Sequence, residues 1–298
     1  MFAKNRKRTA ADGKEKNKTA YGNKLKIGIL VGFMKIVILA GGMQSTINNE
    51  NEGIPKPMVD IGGKPLLWHI MKYFSWYGFD EFIICGGYRV EMIKEYFMDY
   101  YIYASDITVD LQNNKIEVHK KRTEDWKVTV VNTGISSSIG QRISLIQKYI
   151  EEDEFVVTYG DCLSDIDIKA MLESHKKSGK MATVTLAKPT GRNQLLPINE
   201  EGELQYNKFK KISNDAAWVN ADCFVLRKEV FHYLSGDDDL EKQLFLRLSD
   251  KRQLGTYQHK GFWIPIETKR DLVYAQQLWD TGTAPWKKRG GQNESQNT

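Results

Sequence analysis

Four short apolar runs, each followed at once by glycine, set the fold of this chain. They are KIVILA before Gly41, EFIIC before Gly86, KVTVVNT before Gly134 and EFVVTY before Gly160. Runs of this length that are rich in β-branched residues indicate buried strands, and glycine allows a tight turn at each end. The intervening segments LLWHIMKYFSWYGF and VEMIKEYFMDYY have apolar residues at helical spacing. Alternating strands and helices predict an α/β fold, with a Rossmann-like mixed, mainly parallel sheet flanked by helices.

Three local features complete this outline. His69 lies inside the first predicted helix with no acid-base partner nearby in the sequence, so we expect a structural histidine. The segment ITVDLQNNKIEVHK alternates on both sides of Asn113 and Asn114, which predicts a hairpin that projects from the sheet. The segment GTYQHKGFWIPIET is predicted to be one strand that ends at Glu267.

The loop after the first run carries a lysine in a stiff setting. Gly41 and Gly42 can bring the backbone close to a ligand, and N–H groups at the carboxyl end of a first parallel strand can face phosphate oxygens or a base edge. A plain strand-to-loop turn is the simpler explanation of two glycines alone. Lys56, however, stands between Pro55 and Pro57, whose φ angles are fixed. Its ammonium therefore leaves a rigid segment, which suits anion binding.

Asp161 is the acid with the most informative position. It follows a β-branched strand, at the edge where open α/β sheets place their ligands. The alternative is that Asp161 caps the next helix, whose first turn contains Asp165 and Asp167. Asp165 is expected to serve that helix start, because acids in a first turn stabilise the helix dipole.

The order of these segments resembles a known family. LAGGM, PKPMVDIGGKPLLWHIMKYF, FIICGGYRVEMIKEYF, VNTGISSSIGQR, FVVTYGD and GFWIPIETKRDLVYAQQLWDTGTAPWKK are similar to blocks of the sugar-phosphate nucleotidyltransferases, and PMVDIGGKPLLWHIMK looks most like their glucose-1-phosphate cytidylyltransferase branch. The resemblance runs from Met34 to Lys287. It implies the nucleotide-diphospho-sugar transferase fold. It also implies transfer of a cytidylyl group from CTP to glucose 1-phosphate or a related sugar phosphate, with release of pyrophosphate.

The same resemblance implies roles for individual residues. Lys56 and Asp161 would be catalytic, and Asp161 and Glu267 would hold Mg²⁺. The phosphorylated small-molecule acceptor would contact Lys210, Asn220 and Asp222. The residues that would bind CTP are Leu39, Ala40, Gly41, Gly42, Thr133, Ser136, Gly140 and Arg142. A purely local role, as a helix cap for the serines or in a turn for Asp222, stays open.

The chain departs from the family pattern at both substrate sites. Gln44 stands where the glycine loop usually has a third glycine, and no residue of MQSTINN replaces the arginine of that loop. Cys162 and Asp222 stand where glycines are usual, and Glu267 replaces an aspartate. Three hypotheses stay open: a glucose-1-phosphate cytidylyltransferase, a cytidylyltransferase with another phosphorylated acceptor, and a non-catalytic nucleotide-binding homologue.

Charge and cysteine content bound the setting of the protein. Residues 1–33 contain nine Lys or Arg and two acids, a net charge of +7, whereas residues 34–298 sum to −2. The body is therefore not expected to bind nucleic acid. Cys85, Cys162 and Cys223 show no Cys-x-x-Cys spacing, which favours a reducing cytoplasm and offers neither a disulfide framework nor a zinc site.

We expect a nucleotidyltransferase domain at residues 34–287, between a disordered basic leader (1–33) and a disordered tail (288–298). Whether Met34 is the natural first residue stays open. The apolar stretch 27–43 is interrupted by Lys35 and contains the first strand, so neither a signal peptide nor a membrane span is expected. By resemblance, a homo-oligomer is expected.

Overall fold

The computed structural model describes residues 34–42, 53–120, 123–189, 218–234 and 239–287. The leader 1–33 and the tail 288–298 lie outside the described residues, as do Gln44 and Lys210. What the sequence predicts for them stays a prediction. None of the helices in the described ranges combines the length and the apolar character that a membrane crossing requires.

The described ranges contain strands and helices in alternation. The strands are β1 (Ile36–Ala40), β2 (Asp60–Ile61), β3 (Lys64–Pro65), β4 (Glu81–Gly86), β5 (Asp106–Asp110), β6 (Lys115–Lys120), β7 (Lys127–Asn132), β8 (Glu154–Tyr159), β9 (Cys162–Ser164), β10 (Ala182–Ala187), β11 (Val219–Arg227), β12 (Leu254–Gln258) and β13 (Trp263–Pro265). The α-helices are α1 (Leu66–Trp76), α2 (Val90–Met98), α3 (Tyr100–Tyr103), α4 (Ile139–Leu145), α5 (Ile168–Ser178), α6 (Leu246–Asp250) and α7 (Lys269–Asp280). Single 3₁₀ turns occur at Lys56–Met58 and Gln147–Tyr149, a longer 3₁₀ segment at Lys228–Tyr233, and a π-helical segment at Leu240–Phe245.

A seven-stranded sheet in the order β12-β10-β11-β8-β1-β4-β7 forms the centre of the fold. β1 pairs in parallel with β4 and β8, and β4 pairs in parallel with β7. β11 runs antiparallel to both of its neighbours, β8 and β10, while β10 and β12 are parallel. The predicted mixed, mainly parallel sheet is confirmed. Strand β1 is buried along its whole length, as expected for a strand covered by helices on both faces.

Helix α1 buries its apolar face and contacts the end of the described chain. Its buried residues include Leu67, Ile70 and Phe74. His69 Nε2 lies 2.8 Å from the carbonyl oxygen of Ile61, and Trp286 Nε1 donates to His69 Nδ1 at 3.4 Å. One neutral tautomer satisfies both contacts, and burial lowers the pKa of His69 to about 4. The predicted structural role of His69 is confirmed.

The predicted hairpin is confirmed as β5 and β6, which pair antiparallel apart from the main sheet. Asp110 accepts hydrogen bonds from the N–H groups of Gln112 and Asn113, both at 3.1 Å, and Asn114 adopts φ +54°. Asparagine tolerates this left-handed conformation better than most residues, which explains its place in the turn.

The prediction of one strand across GTYQHKGFWIPIET is wrong. β12 extends the main sheet beside β10, whereas β13 pairs with β9 in a separate two-stranded ribbon. The break between them contains His259, whose Nε2 lies 3.0 Å from the carbonyl oxygen of Phe262 and 3.0 Å from a carboxylate oxygen of Asp165. These local contacts turn the chain, and the turn moves Glu267 away from the main sheet to the β9 ribbon.

Candidate active site

The carboxyl ends of three neighbouring parallel strands converge on one arginine. Strands β1, β4 and β7 end in register, with Ala40 beside Gly86 and Gly86 beside Asn132. β1 and β4 then continue directly into Gly41 and Gly87, and β7 reaches Gly134 after Thr133. A Cβ on Gly41 would collide with the guanidinium of Arg142, and a Cβ on Gly87 would lie 2.6 Å from the carbonyl oxygen of Gly41. Only glycine allows the three backbones to approach this closely.

Arg142, on helix α4, is 6% exposed. Nη1 donates to Thr133 Oγ1 at 2.8 Å, and Nη2 donates to the carbonyl oxygens of Gly41 at 2.9 Å and Ile135 at 3.1 Å. Burial lowers the pKa of Arg142 from its usual value, but a guanidinium still keeps its proton at neutral pH. The side chain therefore lies beneath the Gly41 turn and the loop of residues 133–138, and it holds the two together. The direct CTP contact expected for Arg142 stays a prediction.

The second of these loops, residues 133–138, is held at both ends. Thr133 donates twice to the carbonyl oxygen of Gly86, from N at 2.8 Å and from Oγ1 at 2.7 Å. Ser138 caps α4 by accepting from the N–H of Gln141 at 3.2 Å, while the Gln141 side chain accepts from the N–H of Ser138 at 2.9 Å. The helix-capping role that stayed open for the serines thus belongs to Ser138. Ser136 is exposed.

The other residues expected to contact CTP lie along the same edge. The side chains of Leu39 and Ala40 are buried, so a ligand could reach only their backbone. Gly42 is exposed, with open space around its Cα, and Gly140 is buried in the first turn of α4.

Lys56 and Asp161 meet across the sheet edge. Lys56 begins the 3₁₀ turn Lys56–Met58, in which the N–H of Met58 donates to the carbonyl oxygen of Pro55 at 2.8 Å. The N–H of Gly160 donates to the carbonyl oxygen of Leu39 at 3.0 Å, which aligns the ends of β8 and β1. As a result, Lys56 Nζ lies 3.5 Å from Asp161 Oδ2. The side chains are 28% and 27% exposed, so both can be reached from solvent.

Glu267 is brought to the same place through the backbone. Pro265 of β13 pairs with Cys162 of β9, and the N–H of Ile266 donates to the carbonyl oxygen of Asp161 at 2.8 Å. Glu267 follows directly, is exposed, and precedes α7, where its own N–H donates to Asp271 Oδ2 at 3.2 Å. The backbones of Asp161 and Glu267, the two predicted metal ligands, therefore lie next to each other.

The helix-capping alternative for Asp161 does not hold. The N-cap of α5 is Asp167, whose side chain accepts from the N–H of Ala170 at 3.1 Å. The expectation for Asp165 is also wrong, because its carboxylate accepts from the N–H of Phe262 at 2.6 Å and faces His259. The Asp161 side chain therefore neither caps α5 nor holds the turn at Phe262, unlike Asp167 and Asp165.

A thiol links Asp161 to Asp222. Cys162 Sγ donates to Asp222 Oδ2 at 3.1 Å and lies 3.7 Å from Asp161 Oδ1. Burial raises the pKa of the Cys162 thiol well above its usual value, and the negative charges of Asp222 and Asp161 raise it further, so the sulfur keeps its proton and acts as a donor. Sequence reasoning missed this contact. Its only signal was that side chains replace glycine at both positions.

Asp222 also takes part in a local turn. Its φ is +57°, and its N–H donates to Asn220 Oδ1 at 2.9 Å. The turn role that stayed open is therefore present for the backbone of Asp222, while its carboxylate faces Cys162. Asn220 and Asp222 are brought to the edge that holds Lys56 and Asp161, whereas Lys210 lies outside the described residues.

The acids at this edge suit a hard divalent cation. Within the described ranges, no group of three or more His, Cys, Asp or Glu side chains is arranged to hold a metal ion. Magnesium needs fewer, because it is commonly held by one or two carboxylates together with substrate phosphates and water. Asp161 already forms an ion pair with Lys56.

Comparison with known proteins identifies the family of the chain. Residues 35–280 match the sequence profile of a family described as nucleotidyl transferase. The chain is 44% identical over 256 residues to the glucose-1-phosphate cytidylyltransferases of Salmonella typhi and Salmonella typhimurium, covering 85% of this chain and 99% of each relative. A solved UDP-glucose pyrophosphorylase from Acinetobacter baumanii is similar in fold, with a TM-score of 0.59, 17% identity, and coverage of 83% of this chain and 93% of that chain.

Proposed function

Because the chain belongs to the nucleotidyl transferase family, we propose that it transfers a cytidylyl group from CTP to glucose 1-phosphate and releases pyrophosphate. The observation that carries this proposal is the meeting of Lys56 and Asp161 at 3.5 Å beside the Gly41 turn. A rigid cation and an acid at the carboxyl edge of the sheet can bind a triphosphate and its counter-ion together. The 44% identity to named cytidylyltransferases supports CTP and glucose 1-phosphate as the substrates.

The reaction needs positioning rather than proton removal. A sugar phosphate is already largely dianionic at neutral pH, so one of its oxygens can attack the α-phosphorus of CTP without a general base. A new P–O bond forms, the bond from the α-phosphorus to the bridging oxygen breaks, and its electron pair leaves with pyrophosphate. Lys56 would offset the negative charge that develops on the phosphates, and the Gly41 turn would hold them in line for attack.

We propose Mg²⁺ as the divalent metal, held by Asp161 and Glu267. Both are carboxylates with oxygen donors, and the hydrogen bond from Ile266 to Asp161 keeps their backbones adjacent. When bound, the metal would neutralise phosphate charge. Compared with aspartate, glutamate is longer by one methylene group, so the carboxylate of Glu267 would bind the metal from a shifted position. Removal of divalent metal with a chelator should abolish turnover, and Mg²⁺ should restore it.

A changed acceptor is the second candidate, and one specific contact favours it. Cys162 and Asp222 occupy positions where the family pattern has glycine, and their side chains fill the intervening space with a thiol and a carboxylate. This contact narrows the acceptor side and adds a negative charge. An acceptor smaller than a hexose phosphate, with a hydroxyl or amine for Asp222, would fit that side better.

A pyrophosphate-release assay separates these candidates. Purified protein with Mg²⁺ is given CTP, UTP, dTTP or GTP, each with glucose 1-phosphate and with a panel of other phosphorylated acceptors. Release with CTP and glucose 1-phosphate is the expected result. Release only with another acceptor would select the second candidate. No release with any pair would overturn the proposed activity, and calorimetry would then show whether CTP still binds.

We also propose a homo-oligomer whose contacts include the hairpin β5–β6. Cross-strand pairs place Ile107, Val109, Ile116 and Val118 on one face, of which the first three are exposed, and Leu111 at the tip is 87% exposed. An isolated two-stranded hairpin is marginally stable in water, so this face needs a cover, and a second copy of the chain would provide one. A molar mass of one chain in light scattering would contradict this.

The three buried free cysteines support our proposal of a reducing cytoplasm.

A further inference from the structure

The ribbon of β9 and β13, which leads to Glu267, has few contacts of its own to fix its register. Each strand is three residues long, and the two form a sheet separate from the main one. Pro265 has no N–H group, so β13 lacks one donor that so short a ladder could use. A two-stranded ribbon is marginally stable in water, and a slip of one residue moves every side chain of a strand to the opposite face. A further contact is therefore needed to hold Glu267 beside Asp161.

Asp165, His259 and Phe262 supply this contact through a closed set of hydrogen bonds, here called the clasp. The N–H of Asp165 donates to the carbonyl oxygen of Phe262 at 3.0 Å, and the N–H of Phe262 donates to Asp165 Oδ1 at 2.6 Å. His259 Nε2 lies 3.0 Å from each of these two oxygens. Both oxygens are acceptors, so Nε2 carries a proton and donates to them. The clasp therefore closes the turn directly before β13.

The clasp also joins the ribbon to the main sheet. The N–H of His259 donates to the carbonyl oxygen of Leu186, in β10, at 2.7 Å. The His259 side chain is 7% exposed, so it fills the inside of the turn. A Cβ on Gly261 would collide with the carboxylate of Asp165. Only glycine therefore lets the turn close around these two side chains.

Building on the proposed function, we propose that Asp165 and His259 are positioning residues for the metal, because they set the ribbon register that brings Glu267 beside Asp161. Neither residue touches the metal. They act through the backbone of β13. An ionised carboxylate suits this role, since hydrogen bonds to a charged acceptor are stronger than those between neutral groups.

The pairing along the ribbon connects the clasp to the metal ligands step by step. Phe262 is bonded to Asp165 in the clasp, and the next three residues of each strand pair in order without a bulge. The N–H of Ile266 then donates to the carbonyl oxygen of Asp161. Each residue forward along β13 matches one residue backward along β9. Fixing Phe262 against Asp165 therefore also fixes Glu267, the residue after Ile266, next to Asp161.

Metal binding by the full chain tests this inference, with Mn²⁺ alone as the probe and electron paramagnetic resonance of the free ion as the measurement. Asp165→Ala and Gly261→Ala are each expected to weaken Mn²⁺ about tenfold or more, a loss typical when a group that orients a metal ligand is removed. Gly261→Ala leaves every donor and acceptor of the clasp in the chain. His259→Gln keeps an N–H donor, so its loss should be smaller. The matched control is Asp167→Ser, which removes a nearby carboxylate, can still cap α5 and should bind Mn²⁺ as the wild type does.

A double-variant comparison separates positioning from a general loss of structure. Glu267→Gln removes the proposed ligand directly and should weaken Mn²⁺ about tenfold. Because Asp165 acts through Glu267, the double variant Asp165→Ala/Glu267→Gln should bind about as weakly as Glu267→Gln alone. Losses that multiply would overturn the inference, as would wild-type affinity in Asp165→Ala and Gly261→Ala when Glu267→Gln is weakened. Wild-type affinity in Glu267→Gln would instead contradict the proposed metal ligand.

Hydrogen exchange provides a second measurement that needs neither metal nor activity. In Gly261→Ala the amide of Ile266 should exchange at least tenfold faster than in wild type, because its bond to Asp161 depends on the register. The amide of Gly160, which donates to Leu39 in the main sheet, should exchange at the wild-type rate. Unchanged exchange of Ile266 would show that the clasp does not hold the ribbon. This result is readable even if the wild-type protein binds no Mn²⁺, an outcome that would contradict the proposed metal site.

Discussion

The two sides of the cleft are built in opposite ways. Beside β1, β4 and β7, a buried guanidinium is bonded to three oxygens and enclosed by glycine backbone, so this side is complete without a ligand. Beside β8 and β13, several partly exposed acids lie close together. One lysine neutralises part of their charge, and one thiol donates a hydrogen bond to them. The first side is therefore held by its own hydrogen bonds, whereas the acids of the second side have only a partial counter-charge. Variants that affect the two sides separately should therefore give different kinds of defect.

The largest effect is expected on the acidic side. Lys56→Ala should lower the turnover of pyrophosphate release by about a hundredfold or more, because it removes a charge-assisted contact that is made in the transition state. Protein stability should change little, since the lysine is partly exposed. The matched control is Lys127→Ala, which removes an exposed lysine paired with Glu81 at the amino ends of β7 and β4. Turnover of Lys56→Ala at the wild-type rate would contradict the catalytic role proposed for Lys56.

On the arginine side, the expected defect is in folding. Gly41→Ala should lower the free energy of unfolding by about 3 kcal/mol, because the added methyl group displaces the buried guanidinium of Arg142 and breaks its hydrogen bonds. Gly42→Ala adds the same methyl group one residue later, into open space, and should change it by about 0.5 kcal/mol or less. Urea unfolding of both variants provides the measurement. Equal losses would show that the arginine side is not the rigid one.

A smaller effect, a loss of about 2 kcal/mol in the free energy of unfolding, is expected when the pH is lowered and His69 becomes protonated. The pKa of His69 is about 4 in the folded protein and 6.5 in an unfolded chain, so the folded state disfavours the proton. The stability that neutral His69 contributes is complete above pH 6.5 and falls as the pH drops toward 4. Between pH 8 and pH 5 the loss is about 2 kcal/mol.

His69→Gln isolates this contribution, because glutamine does not titrate in that range. The variant should be less stable at pH 8, where it lacks the fit to Ile61 and Trp286, but its urea midpoint should fall less between pH 8 and pH 5. A variant with the full wild-type pH slope would assign the titration to another group.

The sequence predicted the sheet well because its strands are buried on both faces. Runs such as KIVILA can satisfy that burial in few other ways, and glycine at each end marked the turns. The meeting of Lys56 with Asp161 was also expected, since both follow strands that lie side by side. The roles of Asp165 and Asp167 were harder to assign, because either can cap α5 and only the contact of Asp165 with Phe262 decides between them.

Two features could not be predicted from local patterns. The orientation of Arg142 depends on the backbones of Gly41 and Gly87 and on its contacts with Thr133 and Ile135, which come from separate strands and meet only after the sheet has formed. The contact of Cys162 with Asp222 joins residues 60 positions apart, and it depends on the register between β8 and β11, where Thr158 faces Cys223. The single-strand prediction for residues 254–267 failed because it treated the bend around His259 as extended chain.

Strand β11 is the antiparallel member of the sheet, and this has a practical consequence. It brings Asn220 and Asp222 to the edge that holds Lys56 and Asp161 at its beginning rather than at its end. The chain leaves β10 at Lys188 and re-enters at Trp218, where the Lys188 ammonium stacks 3.9 Å from the indole centroid. This paired junction offers matched boundaries for exchanging residues 189–217, which include Lys210, with those of a relative. Pyrophosphate release by such a chimaera would test whether this segment sets the acceptor preference that we propose.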